Sequence, residues 1–173
     1  MPELSVVTPL GPLSLREKAG AITALGWRPV GESRETALLR RARACLERYF
    51  AGIEEAFELP LAPAGSSFER IVWAALRAIP YGETRTYGEI AAAVGAAGPL
   101  AARAVGRAVG RNPIPIIIPC HRVLAAGGIG GFSAPGGVAT KRALLAREAE
   151  VRGPGELFRA GGKANFATNE ARP

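Results

Sequence analysis

The segment NPIPIIIPCHRV (112–123) constrains this chain more than any other stretch of its sequence. Each proline fixes its own φ angle and restricts the residue before it, so three prolines in this short span predict a stiff, extended segment. The segment ends at Cys120 and His121, and His121 is the single histidine of the chain. A stiff lead-in predicts that a thiol and an imidazole are held at a defined place in the fold.

Cys120 and His121 are the candidate reactive pair. Nucleophilic catalysis by cysteine requires a thiolate and a nearby base. The side chains of adjacent residues diverge, so direct contact between the two is not expected, and a bridging water or a turn at Cys120 would solve the geometry. A cysteine protease takes its histidine from a distant part of the sequence. The chain has no second histidine, which argues against ordinary hydrolysis.

Metal and nucleotide sites are not indicated. One histidine and two distant cysteines cannot complete a tetrahedral zinc shell, so we expect no metal and no cofactor. The loop GGIGGFSAPGG, which carries Phe132 and Ser133, lacks the GK(S/T) ending of a phosphate-binding loop. Cys45 lies among apolar residues at helical spacing, and we interpret it as a small buried hydrophobe rather than a functional thiol.

The charge balance indicates a polyanionic partner. The formal net charge is +7 and the pI is about 10.2, and nearly all of the positive charge is arginine. A guanidinium suits phosphate oxygens and base edges. Codon bias in a GC-rich genome, or adaptation to heat, is the alternative source of arginine. Because the chain has no long apolar run and no signal peptide, we expect a soluble, intracellular protein without a membrane partner.

A helix-turn-helix is predicted in the second half of the chain, where a glycine-containing turn separates two short helices. The first begins at a capping box formed by Thr86 and Glu89, and the second spans 99–111. Gly106 and Gly110 lower helix propensity there but allow another surface to approach closely. A solvated charged face without a ligand is the alternative. Arginines at every fourth position share one face of the second helix: Arg103, Arg107 and Arg111.

The chain divides into two predicted domains and a tail. In residues 1–62, short β-like runs separated by Gly and Pro turns precede a helix over 36–53, which predicts a small α/β domain of antiparallel sheet plus helix. Residues 63–150 predict a mainly helical domain that opens at a Ser66–Glu69 capping box. The Gly-rich, polar residues 151–173 are expected to form a flexible tail.

Three stretches of the chain together resemble the 6-O-alkylguanine-DNA alkyltransferase family over 68–148. They are RAVGRAVGRNPIPIIIPCHRV, the preceding IPYGETRTYGEIA and the following GGFSAPGGVATKRALLAREAE. The resemblance implies a small N-terminal α/β domain and a C-terminal winged helix-turn-helix-like domain. It also implies direct-reversal DNA repair, in which a single-turnover methyltransferase moves an alkyl group from the 6-oxygen of guanine irreversibly onto its own cysteine. That cysteine would be Cys120.

The resemblance also implies a role for each matching residue. In the catalytic group, His121 activates Cys120 through a water and Glu148 orients His121, while Asn112 is a hinge and Tyr87 lies near the flipped guanine. Arg103 would enter the duplex in place of the extruded base. The remaining implied DNA-binding residues are Gly88, Gly106, Arg107 and Gly110. The implied guanine pocket contains Val123, Phe132 and Ser133.

The implied partner is double-stranded DNA that contains alkylated guanine, bound through the minor groove with little sequence specificity. A monomer acting in the cytoplasm at the nucleoid is expected. Three alternatives remain at this point. One is a non-catalytic sensor that binds alkylguanine, although such proteins lack the reactive cysteine. The others are a winged-helix transcription regulator, which would leave PCHRV without a purpose, and a cysteine hydrolase.

Overall fold

The computed structural model describes residues 1–53 and 56–152. A three-stranded sheet and one helix form the N-terminal part, and four helices with a two-residue strand pair form the rest. The strands and α-helices in chain order are β1 (Glu3–Thr8), β2 (Gly11–Lys18), β3 (Ala21–Gly26), α1 (Ala37–Phe50), α2 (Ser67–Arg77), β4 (Arg85–Thr86), α3 (Tyr87–Ala93), α4 (Ala101–Gly110), β5 (Val123–Leu124) and α5 (Val138–Arg152).

The N-terminal sheet is the predicted antiparallel meander, in the order β1-β2-β3. Alternate residues of β1 and β2 face the core, so that Leu4 pairs with Leu15 and Val6 pairs with Leu13. Helix α1 covers this face. The helix ends at Phe50, before the predicted end at residue 53, because the chain turns there. After α1, Leu61 forms a single parallel bridge with Ile22 of β3.

The C-terminal part has the predicted mainly helical architecture. Helix α2 begins at the capping box of Ser66 and Glu69, and α3 begins at that of Thr86 and Glu89. Helices α3 and α4 pack together across the turn 94–100. The turn requires glycine at positions 95 and 98, where φ is +72° and +95°, respectively. These elements confirm the expected fold class of an α/β N-terminal part followed by a helix-turn-helix region.

A parallel pair of two-residue strands was not predicted. Arg85 of β4 pairs with Val123 of β5, and Thr86 pairs with Leu124. Parallel strands need a long crossover, and α3 and α4 lie within this one. The pairing brings Tyr87, the first residue of α3, close in space to the residues that follow Cys120.

The proline segment is compact, which corrects the prediction that it is extended. The Ile118 amide donates to the Ile114 carbonyl at 2.9 Å, and the Cys120 amide donates to the Ile118 carbonyl at 2.8 Å. Ile116 has a φ of +71°, a region that β-branched residues rarely adopt. The prolines restrict local angles as expected, but the turns between them fold the segment back on itself. Strain of this kind persists only where surrounding contacts enforce it.

One hydrophobic cluster runs through both parts of the chain. It includes Leu15 of the sheet, Leu46 of α1, Trp73 of α2 and Ile118 of the proline segment. The division into domains at 62/63 therefore stays a prediction, and packing across it is extensive. Helix α5 continues to Arg152, so its last two residues fall within the segment 151–173 that was expected to be a flexible tail. Apart from the end of this helix, the predicted flexible tail lies outside the described residues.

Candidate active site

Cys120 begins a short 3₁₀ helix, Cys120–Arg122, immediately after the proline segment. A turn at Cys120 is one of the two arrangements that the sequence left open. Cys120 is 6% exposed and His121 is fully buried. The ring Nε2 of His121 donates to Oε1 of Glu148 at 2.6 Å. Its Nδ1 is buried and has no hydrogen-bond partner among the described residues.

Glu148 of α5 is the centre of a buried network. Besides His121, its Oε1 accepts from the hydroxyl of Tyr49 at 2.8 Å and from Nη2 of Arg122 at 3.0 Å. Its Oε2 accepts from Nε of Arg122 at 3.0 Å and from the Gly82 amide at 3.2 Å. A carboxylate with this many donors is held in one orientation and is strongly stabilised in its ionised form.

The pKa values of the site follow from burial and from this network. Burial raises the pKa of the Glu148 carboxyl, but His121 and Arg122 outweigh it and hold the pKa at about 2. Burial lowers the pKa of His121, which favours the neutral ring that a base requires, although Glu148 opposes this. Burial raises the pKa of the Cys120 thiol, while Asn112 and Lys141 act to lower it. Cys120 therefore needs a base to become a thiolate.

Arg122 and Lys141 are site residues that sequence reasoning missed. Arg122 also donates to the Ile79 carbonyl at 2.7 Å, which ties the 3₁₀ helix to the end of α2. Lys141 is fully buried, and its Nζ donates to the carbonyls of Val123 at 2.6 Å and Gly131 at 3.1 Å. Burial lowers the pKa of Lys141 to about 8. Arg122 adjoins the reactive pair in the motif, whereas nothing local distinguishes Lys141 from a surface lysine.

Tyr87 lies beside Lys141 and two glycines. The Nζ of Lys141 is 6.0 Å from the centroid of the Tyr87 ring. A Cβ added at Gly106 would lie 3.9 Å from this ring, and one added at Gly130 would lie 3.4 Å from it and 3.2 Å from the amide nitrogen of Ala125. Burial and Cys120 raise the pKa of Tyr87, so its hydroxyl stays protonated. The structure thus brings Tyr87 into the neighbourhood of Cys120.

Asn112 holds the proline segment in shape. Its side-chain amide donates to the Ile118 carbonyl at 2.8 Å, and its side-chain oxygen accepts from the Ile114 amide at 2.9 Å. A hydrogen bond from the same side chain acts to lower the pKa of the Cys120 thiol. Asn112 directly follows the C-cap of α4. It therefore connects the second helix of the helix-turn-helix to the residues that carry Cys120.

The residues expected in the guanine pocket lie on the strand and loop after Cys120. Val123 is buried. Its carbonyl and the carbonyl of Gly131, which precedes Phe132, both accept a hydrogen bond from the Lys141 amine. The rings of Phe132 and Trp27 form a T-shaped pair with centroids 6.4 Å apart. Ser133 donates to the carbonyl of Gly110 at 3.1 Å. Trp27, which the sequence did not indicate, shows that the N-terminal part reaches the pocket loop.

The residues expected to bind DNA lie mainly on α4. Arg103 and Arg107 are exposed, and neither pairs with a carboxylate among the described residues, whereas Arg111 pairs with Glu69 at 3.2 Å. A Cβ at Gly110 would meet nothing within 4 Å, and the one at Gly106 meets only ordinary contacts. Crowding inside the protein therefore does not explain these two helix glycines. Gly88, by contrast, lies in the first turn of α3.

Over residues 1–53 and 56–152, no group of histidine, cysteine, aspartate and glutamate side chains is arranged to hold a metal ion. Within the same ranges, no helix has the length and apolar character needed to cross a membrane.

Comparison with known proteins places this geometry in a family. The DNA-binding domain of 6-O-methylguanine DNA methyltransferase matches residues 67–150. The methylated-DNA–protein-cysteine methyltransferase of Mycobacterium tuberculosis is 42% identical over 166 residues, which cover 88% of this chain and 94% of that protein. The constitutive enzyme of Bacillus subtilis is 46% identical over 128 residues, covering 68% and 76%. That of Methanosarcina acetivorans is 58% identical over 89 residues, covering 51% and 56%.

Solved structures agree with the sequence comparison. The crystal structure of M. tuberculosis OGT in complex with DNA matches with a TM-score of 0.77 and 42% identity, over 87% of this chain and 94% of that one. An O6-methylguanine DNA methyltransferase from Methanococcus jannaschii matches with a TM-score of 0.61 and 28% identity, over 93% and 95%. The chain therefore belongs to the methylated-DNA–protein-cysteine methyltransferase family.

Proposed function

We propose that this protein repairs DNA directly by moving an alkyl group from the 6-oxygen of guanine to Sγ of Cys120. The observation that carries the proposal is a buried cysteine that begins a turn beside a histidine bound to an ionised glutamate, in a member of this family. A sulfur–carbon bond forms while the carbon–oxygen bond of the lesion breaks, and guanine is restored. The product is a thioether, so each molecule acts once.

His121 is the proposed base. Its Nδ1 has no hydrogen-bond partner among the described residues, so it accepts the Cys120 proton, directly or through a water. Glu148 holds Nε2 by the 2.6 Å hydrogen bond and stabilises the imidazolium that forms. Burial keeps His121 neutral beforehand, and Asn112 and Lys141 favour the thiolate afterwards. The proton finally neutralises the guanine that leaves, so charge balances over the reaction.

Tyr87 and the loop after Cys120 form the proposed guanine site. The protonated Tyr87 hydroxyl can donate a hydrogen bond to the base, and Lys141 holds Val123 and Gly131 in place around it. Phe132 would cover the base from the loop. A base inside the duplex hides its alkyl carbon, so the nucleotide must be flipped out, which costs a few kcal/mol. Ser133, bound to α4, would complete the pocket near the helix that contacts DNA.

Helix α4 is the proposed DNA-binding element. The similar M. tuberculosis structure is a complex with DNA. We propose that Arg103 fills the space of the flipped base and offsets its unstacking, and that Arg107 contacts phosphate. Gly106 and Gly110 would allow close approach to the minor groove, since nothing in the chain crowds them. Phosphate contacts carry no sequence information, so low sequence specificity is expected.

Gly88 would contact the DNA backbone from the start of α3. The protein would act as a monomer. Its proposed place is the cytoplasm at the nucleoid, because the proposed acceptor must remain a reduced thiol.

Intact-protein mass spectrometry with a duplex containing 6-O-methylguanine tests the proposal. We expect a stoichiometric gain of one methyl group that maps to Cys120, with no second turnover when DNA is in excess. The matched control is Cys120→Ser, which should bind the lesion but gain no mass. Tight binding of the lesion by the unmodified chain without a mass change would overturn the transfer function and indicate a sensor.

A further inference from the structure

The hydroxyl of Tyr49 reaches the reactive network from the N-terminal part of the chain. Tyr49 is on the last turn of α1 and is fully buried, and it donates to Oε1 of Glu148 at 2.8 Å. Three aromatic rings surround it, with centroids at 5.1 Å (Phe50), 5.8 Å (Phe57) and 5.7 Å (Tyr81). The ring has little freedom to turn, so the direction of the hydroxyl is set by the packing of α1.

The two oxygens of Glu148 have different partners. Oε1 accepts hydrogen bonds from Tyr49, His121 and Arg122, whereas Oε2 accepts them from Arg122 and the Gly82 amide. Tyr49 therefore donates to the same oxygen that holds His121. A second strong donor draws negative charge away from that oxygen, which weakens its pull on the His121 proton.

The charged and titratable groups around Glu148 come from each packed element. The 3₁₀ helix supplies His121 and Arg122, and α1 supplies Tyr49. Tyr81 lies 5.5 Å from the Arg122 guanidinium, measured to its ring centroid. On the thiol side, the charge of Lys141 lowers the pKa of both Cys120 and His121. Tyr49 is neutral and is not the proposed proton acceptor, so its hydroxyl can be removed without changing the charge of the site.

We propose that Tyr49 is a positioning residue for alkyl transfer, which sets how strongly Glu148 holds the proton of His121. This inference rests on the proposed function, since it concerns the base of that reaction. Through Tyr49 the N-terminal part contributes to the chemistry as well as to the core.

Tyr49→Phe should move the pH dependence of transfer in one direction. Without the hydroxyl, Oε1 carries more negative charge, and the pKa of His121 rises. His121 cannot accept the Cys120 proton once it is protonated, so the rate is lost as the pH falls through that pKa. The acidic limb of the profile should therefore move to higher pH by about one unit, the scale of one charge-assisted hydrogen bond.

Single-turnover transfer to a 6-O-methylguanine duplex, measured from acidic to alkaline pH, tests this inference. The matched control is Leu39→Val, which loosens α1 at a buried position away from the network. A shifted limb in Tyr49→Phe and an unshifted one in the control would support the inference. Equal losses at every pH would show that Tyr49 is merely structural and would overturn it.

A second variant applies if Tyr49→Phe does not fold. Tyrosine 49 can be replaced by 3-fluorotyrosine, whose more acidic hydroxyl is a stronger donor, and the limb should then move to lower pH. An unmoved limb would overturn the inference. The unmodified protein is measured in parallel: if it transfers no methyl group, the proposed function itself fails, which is a distinct result from transfer with unshifted profiles.

Discussion

Glu148 shows at the scale of one residue how stability and proposed chemistry share the same contacts. Its carboxylate is 1% exposed and would be costly to bury alone. The positive charge of Arg122 neutralises the carboxylate, and its Nε and Nη2 donate hydrogen bonds to Oε2 and Oε1, respectively. The Gly82 amide donates a further hydrogen bond to Oε2. The network that keeps the carboxylate ionised is therefore the network that holds His121.

We predict that Glu148 stabilises the fold in a pH-dependent manner. Its pKa is held at about 2 in the folded chain, below the ordinary value of 4.5. A lowered pKa contributes stability above the ordinary value, and this contribution is lost as the pH falls from about 4.5 to about 2. The difference corresponds to roughly 3 kcal/mol at neutral pH.

Urea unfolding of the unmodified chain and of Glu148→Gln checks this prediction. The variant should be clearly less stable at pH 6, because Arg122 then lacks its charged partner. The gap between the two proteins should shrink as the pH approaches 2.5. A gap of constant size across this range would contradict the assigned ionisation of Glu148.

Helix α4 shows at the scale of an element how local stability and DNA contact can conflict. Glycine within a helix is less favourable than alanine by about 0.5–1 kcal/mol. Glycine at positions 106 and 110 therefore lowers the stability of the helix, although an added Cβ would meet no close obstacle in the protein at either position. The proposed reason for them therefore lies in an external surface.

We predict opposite effects on stability and binding when Gly106 and Gly110 are changed to alanine. Each change should raise the free energy of unfolding by about 0.5–1 kcal/mol. Each should weaken duplex binding by roughly tenfold, because the added methyl holds the backbone away from the groove. Thermal melting and fluorescence anisotropy with a labelled duplex measure the two quantities. Unchanged or stronger binding in the stabilised variants would contradict the proposed surface.

The whole molecule is joined across the predicted domain boundary. The Leu25 amide donates to the Pro113 carbonyl at 2.9 Å, and Arg147 donates to the Phe50 carbonyl at 2.7 Å. These bonds connect the sheet to the proline segment and α5 to α1. Together with the shared hydrophobic cluster, they predict that the two parts unfold together.

The two tryptophans offer a direct test of joint unfolding. Trp27 follows the sheet, and Trp73 lies in α2. Trp27→Phe leaves a probe of the C-terminal part, and Trp73→Phe leaves a probe of the N-terminal part. In each variant the fluorescence midpoint in urea should coincide with the midpoint of that variant's far-UV circular dichroism. Separate midpoints would indicate that the two predicted domains unfold independently.

Features with a local cause could be predicted from the sequence. The sheet follows from alternation of apolar residues, and the capping boxes at Ser66 and Thr86 start helices where expected. The basic face of α4 follows from arginines at every fourth position. The reactive pair at Cys120 and His121 stood out because prolines and a single histidine marked it.

Features with a long-range cause were decided by the tertiary structure. Tyr49 and Glu148 are 99 positions apart and meet because α1 and α5 pack against one core. Lys141 becomes buried only because the Val123 and Gly131 carbonyls converge on its amine. The proline segment folds into turns because the Asn112 side chain binds both ends of them. Sequence pattern reports the preferences of neighbouring residues, whereas these contacts depend on which distant groups packing brings within hydrogen-bonding distance.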